Sequence, residues 1–162
     1  MGFAIGYDTS NPSSLALVNG KGFNPGDIIE DGSGKTWVYV KATAAISQYD
    51  TVVYDETYIA VVAPLSTSND ARGDKLGVAA VAFASGEYGF IQIFGPCTIN
   101  VASAVAANTQ LTTTSIVGVL DDSTTASQIV AEGIFVTTAN TASLVATAAA
   151  VLNWPQVGAT LT

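Results

Sequence analysis

Short β-prone runs separated by turn residues recur along this chain, and they constrain its fold more than any other feature. Threonine and valine, two of its three commonest residues, are β-branched and favour strands. Two hairpins are predicted, one around residues 31–34 and one around residues 55–57, because turn residues there separate β-prone runs. A third hairpin is predicted to join residues 76–84 to residues 88–94.

Further short strands are predicted downstream, and the Gly95-Pro96 pair is expected to end the pairing of the third hairpin. These strands cover residues 98–101, 111–113, 116–120 and 129–137. One segment favours a helix, because residues 142–152 are rich in alanine and Asn140 or Thr141 could cap them. No internal repeat is evident. The expected fold is mainly β, a compact β-barrel or β-sandwich with at most one short C-terminal helix.

The first 27 residues differ from the rest, because glycine and proline are frequent there and no strand or helix period is sustained. We therefore expect an extended N-terminal arm over residues 1–27 and a β-rich domain over residues 28–162. The arm carries more apolar side chains than a free arm would need. It could fold back on its own domain or lie on a neighbouring subunit. Its candidate contact residues are Phe3, Ile5, Tyr7 and Phe23.

The charge of the chain excludes two classes of partner. Thirteen acidic and five basic residues give a net charge of −8, and no basic residue follows Lys75. Nucleic acids and anionic membranes both require clustered Lys or Arg, so we expect neither to bind. The apolar runs are too short to span a bilayer, and the first residues do not resemble a secretory signal. Only 11% of the residues are charged, which favours a protein that covers much of its surface with partner proteins.

The reactive side chains are too few for most catalytic and metal sites. Histidine is absent and cysteine occurs once, which excludes imidazole catalysis, the common zinc sites and a disulfide framework. Cys97 is expected to be a buried, inert thiol. Residues 32–36 end like a phosphate-binding loop, but Ile29 stands where that loop needs glycine and a strand follows, so a hairpin turn is expected. We predict no catalytic residue, no cofactor and no metal, and therefore no enzyme.

A few acidic and aromatic residues leave alternatives open. Asp50, Asp55 and Glu56 are expected to be solvated carboxylates near a hairpin tip. A hydrolase would need two such acids in one concave pocket with a raised pKa. Trp37 is expected in the core, whereas Trp154 is either a core residue or an interface anchor.

Several strand-and-turn runs within residues 28–157 share a pattern with one known class of protein. The runs are GKTWVYVKA (34–42) with AISQYD (45–50), LGVA (76–79) with YGFIQIFG (88–95), and GVLDD (118–122) with residues 129–136. They resemble the small capsid decoration proteins, or cement proteins, of tailed bacteriophages. The likeness is a pattern of strands and turns without a chemical signature.

That resemblance implies a non-enzymatic β-rich protein on the outer surface of the virion capsid, made in the host cytoplasm. It implies the major capsid protein as the partner, with neighbouring capsomers tied together. It also implies a homo-oligomer, a trimer in preference to a dimer or a monomer. In such proteins the N-terminal segment often extends onto the lattice, which gives the arm a function.

A second function also fits the sequence, that of a phage fibre or tail-tip module that binds a host-surface glycan. Such a module needs exposed aromatic side chains beside polar ones in a groove. Three tyrosines close to the acidic residues above are the candidates: Tyr49, Tyr54 and Tyr58.

Overall fold

A computed structural model describes residues 9–10, 12, 22–64 and 74–161, and within them the fold is all-β. The strands are β1 (Ile28–Glu30), β2 (Thr36–Ala42), β3 (Thr51–Tyr54), β4 (Ile59–Val62), β5 (Lys75–Val78), β6 (Tyr88–Val101), β7 (Leu111–Thr113), β8 (Leu120–Asp121), β9 (Ile129–Val136) and β10 (Ala146–Thr160). The compact β fold expected from the sequence is confirmed. In these ranges no helix is long and apolar enough to cross a membrane.

The strands form one sheet that closes on itself. Its neighbour order is β1-β2-β4-β3-β5-β10-β6-β8-β7-β9, and further pairings join β2 to β6, β5 to β6 and β9 to β10. The β2–β6 and β9–β10 pairings close two rings of strands in this order, and both rings contain β6 and β10. Because two long strands are shared, the two halves of the domain cannot be separated without breaking the sheet.

Two main hydrophobic cores lie on either side of strand β3. Side chains of β9 and β10 dominate the first core, with contributions from β5 and β6, whereas those of β2, β3 and β6 dominate the second. All four residues of β3 are buried. Val53 packs in the first core, while Val52 and Tyr54 pack in the second. Alternate side chains of one strand therefore fill both cores.

Strand β6 changes partners in its middle, at Gly95. Its first half pairs with β2 and its second half with β10. Gly95 has a φ of +90°, and a Cβ there would come within 2.6 Å of the Gly34 carbonyl oxygen. The buried Gln92 amide donates to the carbonyls of Phe94 and Pro96, at 3.0 and 2.9 Å, and so holds the bend. The expectation that Gly95-Pro96 ends the pairing is wrong, because the glycine bends the strand and pairing continues beyond the proline.

The expected helix at residues 142–152 is also wrong, because strand β10 begins at Ala146. This strand pairs with β6 on one edge and with β9 on the other. Ala148, Ala150 and Leu152 are buried and the side chains between them are exposed, which is the period of a strand. Alanine favours a helix by less than about 1 kcal/mol per residue, and pairing on both edges outweighs that preference.

The first two predicted hairpins, β1–β2 and β3–β4, are confirmed, but the third is only partly formed. Strand β5 pairs along its length with β3 and meets β6 only at Val78, opposite Gln92. Residues 79–87 instead pack against the loop that follows β2, where Ile46 and Phe83 exchange two backbone hydrogen bonds. Both side chains are buried in the second core, which explains why the chain takes this detour.

One turn geometry recurs four times in the described part of the chain. No one residue type is common to all four turns at their first and fourth positions, so the sequence alone did not predict them. The N–H of the first residue donates to the side chain of the fourth, and the N–H of the fourth donates to the carbonyl of the first. The third residue has a positive φ. The first and fourth residues are Asn24 and Asp27, Ser47 and Asp50, Ala84 and Glu87, and Thr125 and Gln128. Each turn directly precedes a strand, so these side chains set where β1, β3, β6 and β9 begin.

The described end of the N-terminal arm packs on the domain. The Phe23 ring lies 4.7 Å from that of Phe90 and 5.5 Å from that of Tyr39, measured between centroids. The Gly26 N–H donates to the Tyr39 carbonyl at 2.8 Å. Three of the candidate contact residues, Phe3, Ile5 and Tyr7, lie outside the described residues.

Replacing Gly95 by alanine is expected to destabilise the domain more than the same change at Gly86. Both glycines have a positive φ, but a Cβ at Gly86 meets no atom within 4 Å, whereas one at Gly95 meets the Gly34 backbone. Gly86→Ala should cost about 1 kcal/mol from backbone strain alone. Gly95→Ala should cost about 2 kcal/mol more, because backbone must also move. Urea unfolding measures both, and equal losses would contradict this account of the bend.

Candidate functional site

The motif that resembles a phosphate-binding loop is a hairpin turn organised by Asp31. One carboxylate oxygen, Oδ1, accepts hydrogen bonds from the Ser33 N–H, the Ser33 hydroxyl and the Lys35 N–H, at 2.9, 2.6 and 3.1 Å. The other accepts the Trp37 indole N–H at 3.0 Å. Partial burial raises the pKa of Asp31, but these hydrogen bonds together outweigh it and lower the pKa to about 2. The turn is structural, and Trp37 is buried as expected.

The carboxylate of Asp50 is buried instead of solvated, which corrects the expectation for this residue. Its two oxygens accept hydrogen bonds from the Ser47 N–H at 3.0 Å and the Asn100 side-chain amide at 2.9 Å. Cys97 is half-buried, and burial raises the pKa of its thiol to about 12, with Lys35 acting in the opposite direction. The thiol is therefore protonated at neutral pH and weakly nucleophilic.

An exposed apolar strip crosses strands β9, β10 and β6 on their outer face. Val151 lies opposite Phe135 on one side and opposite Pro96 on the other, so the three side chains form one row. Phe94 and Trp154 extend the row, with ring centroids 6.1 Å apart. The five residues, hereafter the apolar strip, are all exposed, with Phe135 46% and Trp154 52% accessible. Contiguous exposed apolar side chains of this kind mark interaction surfaces.

Trp154 occupies a bulge in strand β10. Three residues of β10 there lie opposite the single residue Gly133 of β9, because the pairing resumes at Gln156. Trp154 has a φ of +49°, a conformation that a bulky side chain rarely adopts. The backbones approach closely, since a Cβ on Gly133 would lie 2.7 Å from the Asn153 carbonyl oxygen. The indole at this bulge is 52% accessible, so the unusual backbone conformation is not accompanied by burial of the side chain in the core.

A groove of about 380 Å³ adjoins Trp154. It lies where the β3–β4 turn, the start of β5 and the β10 bulge meet. Its apolar and aromatic lining consists of Ile28, Val38, Tyr54, Tyr58, Ile93, Trp154 and Pro155. Its charged lining consists of Asp55, Glu56, Asp74 and Lys75. A backbone hydrogen bond joins the start of β5 to β10 at this groove, because the Val157 N–H donates to the Asp74 carbonyl at 2.9 Å.

The acidic residues of the groove differ in their electrostatics. Asp55 Oδ1 accepts the Thr57 hydroxyl, the Thr57 N–H and the Ile59 N–H, at 2.6, 2.9 and 3.2 Å. These bonds, the hydroxyl first, hold the pKa of Asp55 below its ordinary value despite partial burial. Burial, and then repulsion from Asp55 and Glu56, raises the pKa of Asp74. All three carboxylates line the same groove, and each adds to its negative potential.

The structure brings together some of the residues predicted for a glycan or hydrolase site and separates others. Tyr54 and Tyr58 line the groove with Asp55 and Glu56, while Tyr49 does not. Burial, and then the neighbouring Tyr58, raises the pKa of Tyr54 to about 12. Asp55 and Asp74 share a concave site, as a hydrolase would require. All three hydrogen bonds to the Asp55 carboxylate fall on Oδ1 and come from its own turn, so this oxygen is occupied by the turn.

Sequence reasoning singled out Trp154 but missed the rest of the apolar strip. Phe94 and Phe135 stand in continuous β-prone runs, where an outward-facing position could not be recognised without the register. Of the described residues, no group of three or more Asp, Glu, Cys or His could hold a metal ion. No known protein family matches this sequence, and no curated protein matches it significantly.

The stability of the domain is expected to depend on Asp31 in acid. The pKa of Asp31 is depressed in the folded state, so its contribution is present above about pH 4, the ordinary value, and is lost as the pH falls towards 2. Asp31→Asn keeps the Oδ1 acceptor but loses the acceptor for Trp37, and should cost about 1 kcal/mol at pH 7.

The free energy of unfolding, measured at pH 7 and at pH 2.5, checks this prediction. The difference in the free energy of unfolding between the wild type and Asp31→Asn should be smaller at pH 2.5 than at pH 7. Glu30→Gln, which neutralises an exposed carboxylate next to Asp31 in sequence, is the matched control and should show little effect. A gap that stays constant or widens in acid would contradict the proposed role of the carboxylate.

Proposed function

We propose that this chain is a non-enzymatic capsid decoration protein of a tailed bacteriophage. It binds the outer surface of the head, contacts the major capsid protein and fastens neighbouring capsomers. The observation that carries the proposal is the exposed apolar strip, taken together with the sequence pattern that resembles decoration proteins. A host-made protein that assembles on the outside of the virion needs a docking surface of this kind and no reactive group.

The apolar strip has the composition of an interface centre. Aromatic side chains are enriched where protein interfaces gain most of their binding free energy. Phe94, Phe135 and Trp154 supply three of them on a rigid sheet, so little ordering is needed on binding. Burial contributes about 25 cal/mol per Å² of apolar surface before the costs of association. A lattice multiplies such contacts, so each copy needs only modest affinity.

The N-terminal arm supplies the second contact in this proposal. Phe3, Ile5 and Tyr7 alternate along its first residues, and Phe23 packs on the domain at the other end. Pro12 also lies against the domain, since a Cβ on Gly89 would come within 3.4 Å of its Cα. The apolar segment before Pro12 is the part proposed to reach an adjacent subunit. We further propose a homo-oligomer, with the trimer favoured by the resemblance to decoration proteins. The net charge of −8 fits an outer surface that does not touch DNA.

A phage fibre or tail-tip module that binds a host glycan is the second candidate. The groove favours it, because Tyr58 and Trp154 stand beside Asp55 and Glu56 there. Aromatic faces with carboxylate acceptors are suited to sugar rings and their hydroxyl groups. Copy number separates the two functions, since a decoration protein is present in hundreds of copies per particle and a tail component in a handful.

Deletion of residues 1–20 is expected to abolish binding to assembled heads while the domain stays folded. The deletion removes Phe3, Ile5 and Tyr7 but keeps Phe23 and its contacts with Tyr39 and Phe90. Co-sedimentation with heads that lack the protein measures binding, and circular dichroism with thermal unfolding verifies the fold. A truncated protein that still coats heads at full occupancy would show that the arm is not a capsid contact.

Removal of a large side chain from the apolar strip is expected to weaken head binding about tenfold in each case. Suitable variants are Phe135→Ser and Trp154→Gly, because both side chains are exposed and glycine accepts the positive φ at position 154. Leu144→Ser is the matched control, since Leu144 is 74% exposed in the loop before β10 and is not part of the strip. If all three variants bind heads as the wild type does, the strip is not the docking surface.

A further inference from the structure

The groove beside Trp154 combines an apolar floor with an acidic rim. Its buried members are Val38, Tyr54, Ile93 and Pro155, which make the floor mainly apolar. Trp154 is half-exposed beside them and offers an aromatic surface. The occupant that matches this lining has an apolar stem and a polar end that interacts with the rim.

The rim selects a cation. Among the described residues that line the groove, Asp55, Glu56 and Asp74 supply three carboxylates and Lys75 supplies one ammonium, a formal charge of −2. Burial, and then repulsion from Asp55 and Glu56, raises the pKa of Asp74, so Lys75 does not cancel the negative potential at that carboxylate. A positive group placed between them would relieve that repulsion, whereas a neutral or negative ligand would not.

We propose that the groove binds a basic side chain presented by a protein partner, with arginine preferred to lysine. The aliphatic stem of arginine lies along the apolar floor, and its planar guanidinium stacks on Trp154 and pairs with the carboxylates. Cation–π attraction to an indole face adds to the charge pairing. The inference rests on the proposed function in one respect, because it takes the major capsid protein as the partner that presents the basic side chain.

The two indole N–H signals in a nitrogen–proton NMR spectrum provide the test. Trp154 lines the groove, whereas the Trp37 indole is bonded to Asp31 and buried, so it serves as the internal control. The probes are the N-acetyl methylamides of arginine, lysine and norleucine, together with a neutral N-acetylglucosamine trimer. The arginine probe should shift the Trp154 signal alone, with a millimolar dissociation constant that rises with salt, and the lysine probe should bind more weakly.

Single charge removals refine the result. Glu56→Gln and Asp74→Asn should each weaken the arginine probe about threefold, and an unshifted Trp37 signal verifies that they are folded. Glu132→Gln is the control, because it removes an exposed carboxylate that does not line the groove. The inference is overturned if arginine leaves Trp154 unshifted, if norleucine binds equally well, or if only the neutral trimer binds, which would support the glycan module.

Head binding separates this inference from the proposed function. If the arginine probe binds and wild-type protein ignores assembled heads, the groove inference stands and the decoration function fails. If the probe does not bind but strip variants lose head binding, the function stands and the groove inference fails. If the probe binds and Glu56→Gln coats heads like the wild type, the capsid protein does not supply the basic side chain.

Discussion

The pairing of β6 with β10 is the interaction on which the rest of the structure depends. Eight consecutive residue pairs, from Phe94 opposite Asn153 to Val101 opposite Ala146, join the two longest strands. Both rings of the sheet contain these strands, and their inward side chains fill the first core. The outer face of the same pairing carries the apolar strip. The surface proposed for docking is thus built on the most constrained part of the domain.

The irregular positions of these two strands shape the candidate site. Gly95 bends β6 and Gln92 holds the bend, while the bulge at Trp154 interrupts the pairing of β10 with β9, two residues beyond the partner of Gly95. The bend and the bulge bring Phe94 and Trp154 together and leave the groove open beside the β3–β4 turn. Backbone strain at Trp154 is tolerated because long paired segments on both sides fix its neighbours. Local departures from regular pairing therefore position the side chains that we assign to function.

The sequence predicted the β class, two of the three hairpins and the structural nature of the glycine-rich turn at residues 32–36. These predictions were correct because turn residues and β-branched runs determine the conformation of their own segment of the chain. The helix at residues 142–152 was wrong because alanine preference is local, whereas strand β10 depends on partners distant in sequence. The prediction that Gly95-Pro96 ends the strand pairing was wrong for the same reason, because the pairing beyond the proline is with the distant strand β10. The recurring turn was not predicted, because its fourth residues share a hydrogen-bond geometry but not a residue type. These residues are Asp27, Asp50, Glu87 and Gln128.

The candidate site was predictable only in fragments. Trp154 could be singled out as a large aromatic residue, and Tyr58 and Asp55 by their place near a hairpin tip. Asp74 lies near these residues because β5 pairs with β3 and because the Val157 N–H donates to the Asp74 carbonyl. Both contacts join residues distant in sequence, so no short sequence pattern predicts them. The exposure of Phe135 depends on its register opposite Val151. A surface made from several strands becomes visible only when the register of each is known.

A cryo-electron microscopy reconstruction of phage particles that carry this chain tests the account most directly. The account predicts density for the domain at repeated positions over the whole head, with Phe94, Phe135, Val151 and Trp154 covered by the major capsid protein. Density confined to the tail, or domains on the head whose apolar strip faces solvent, would contradict it.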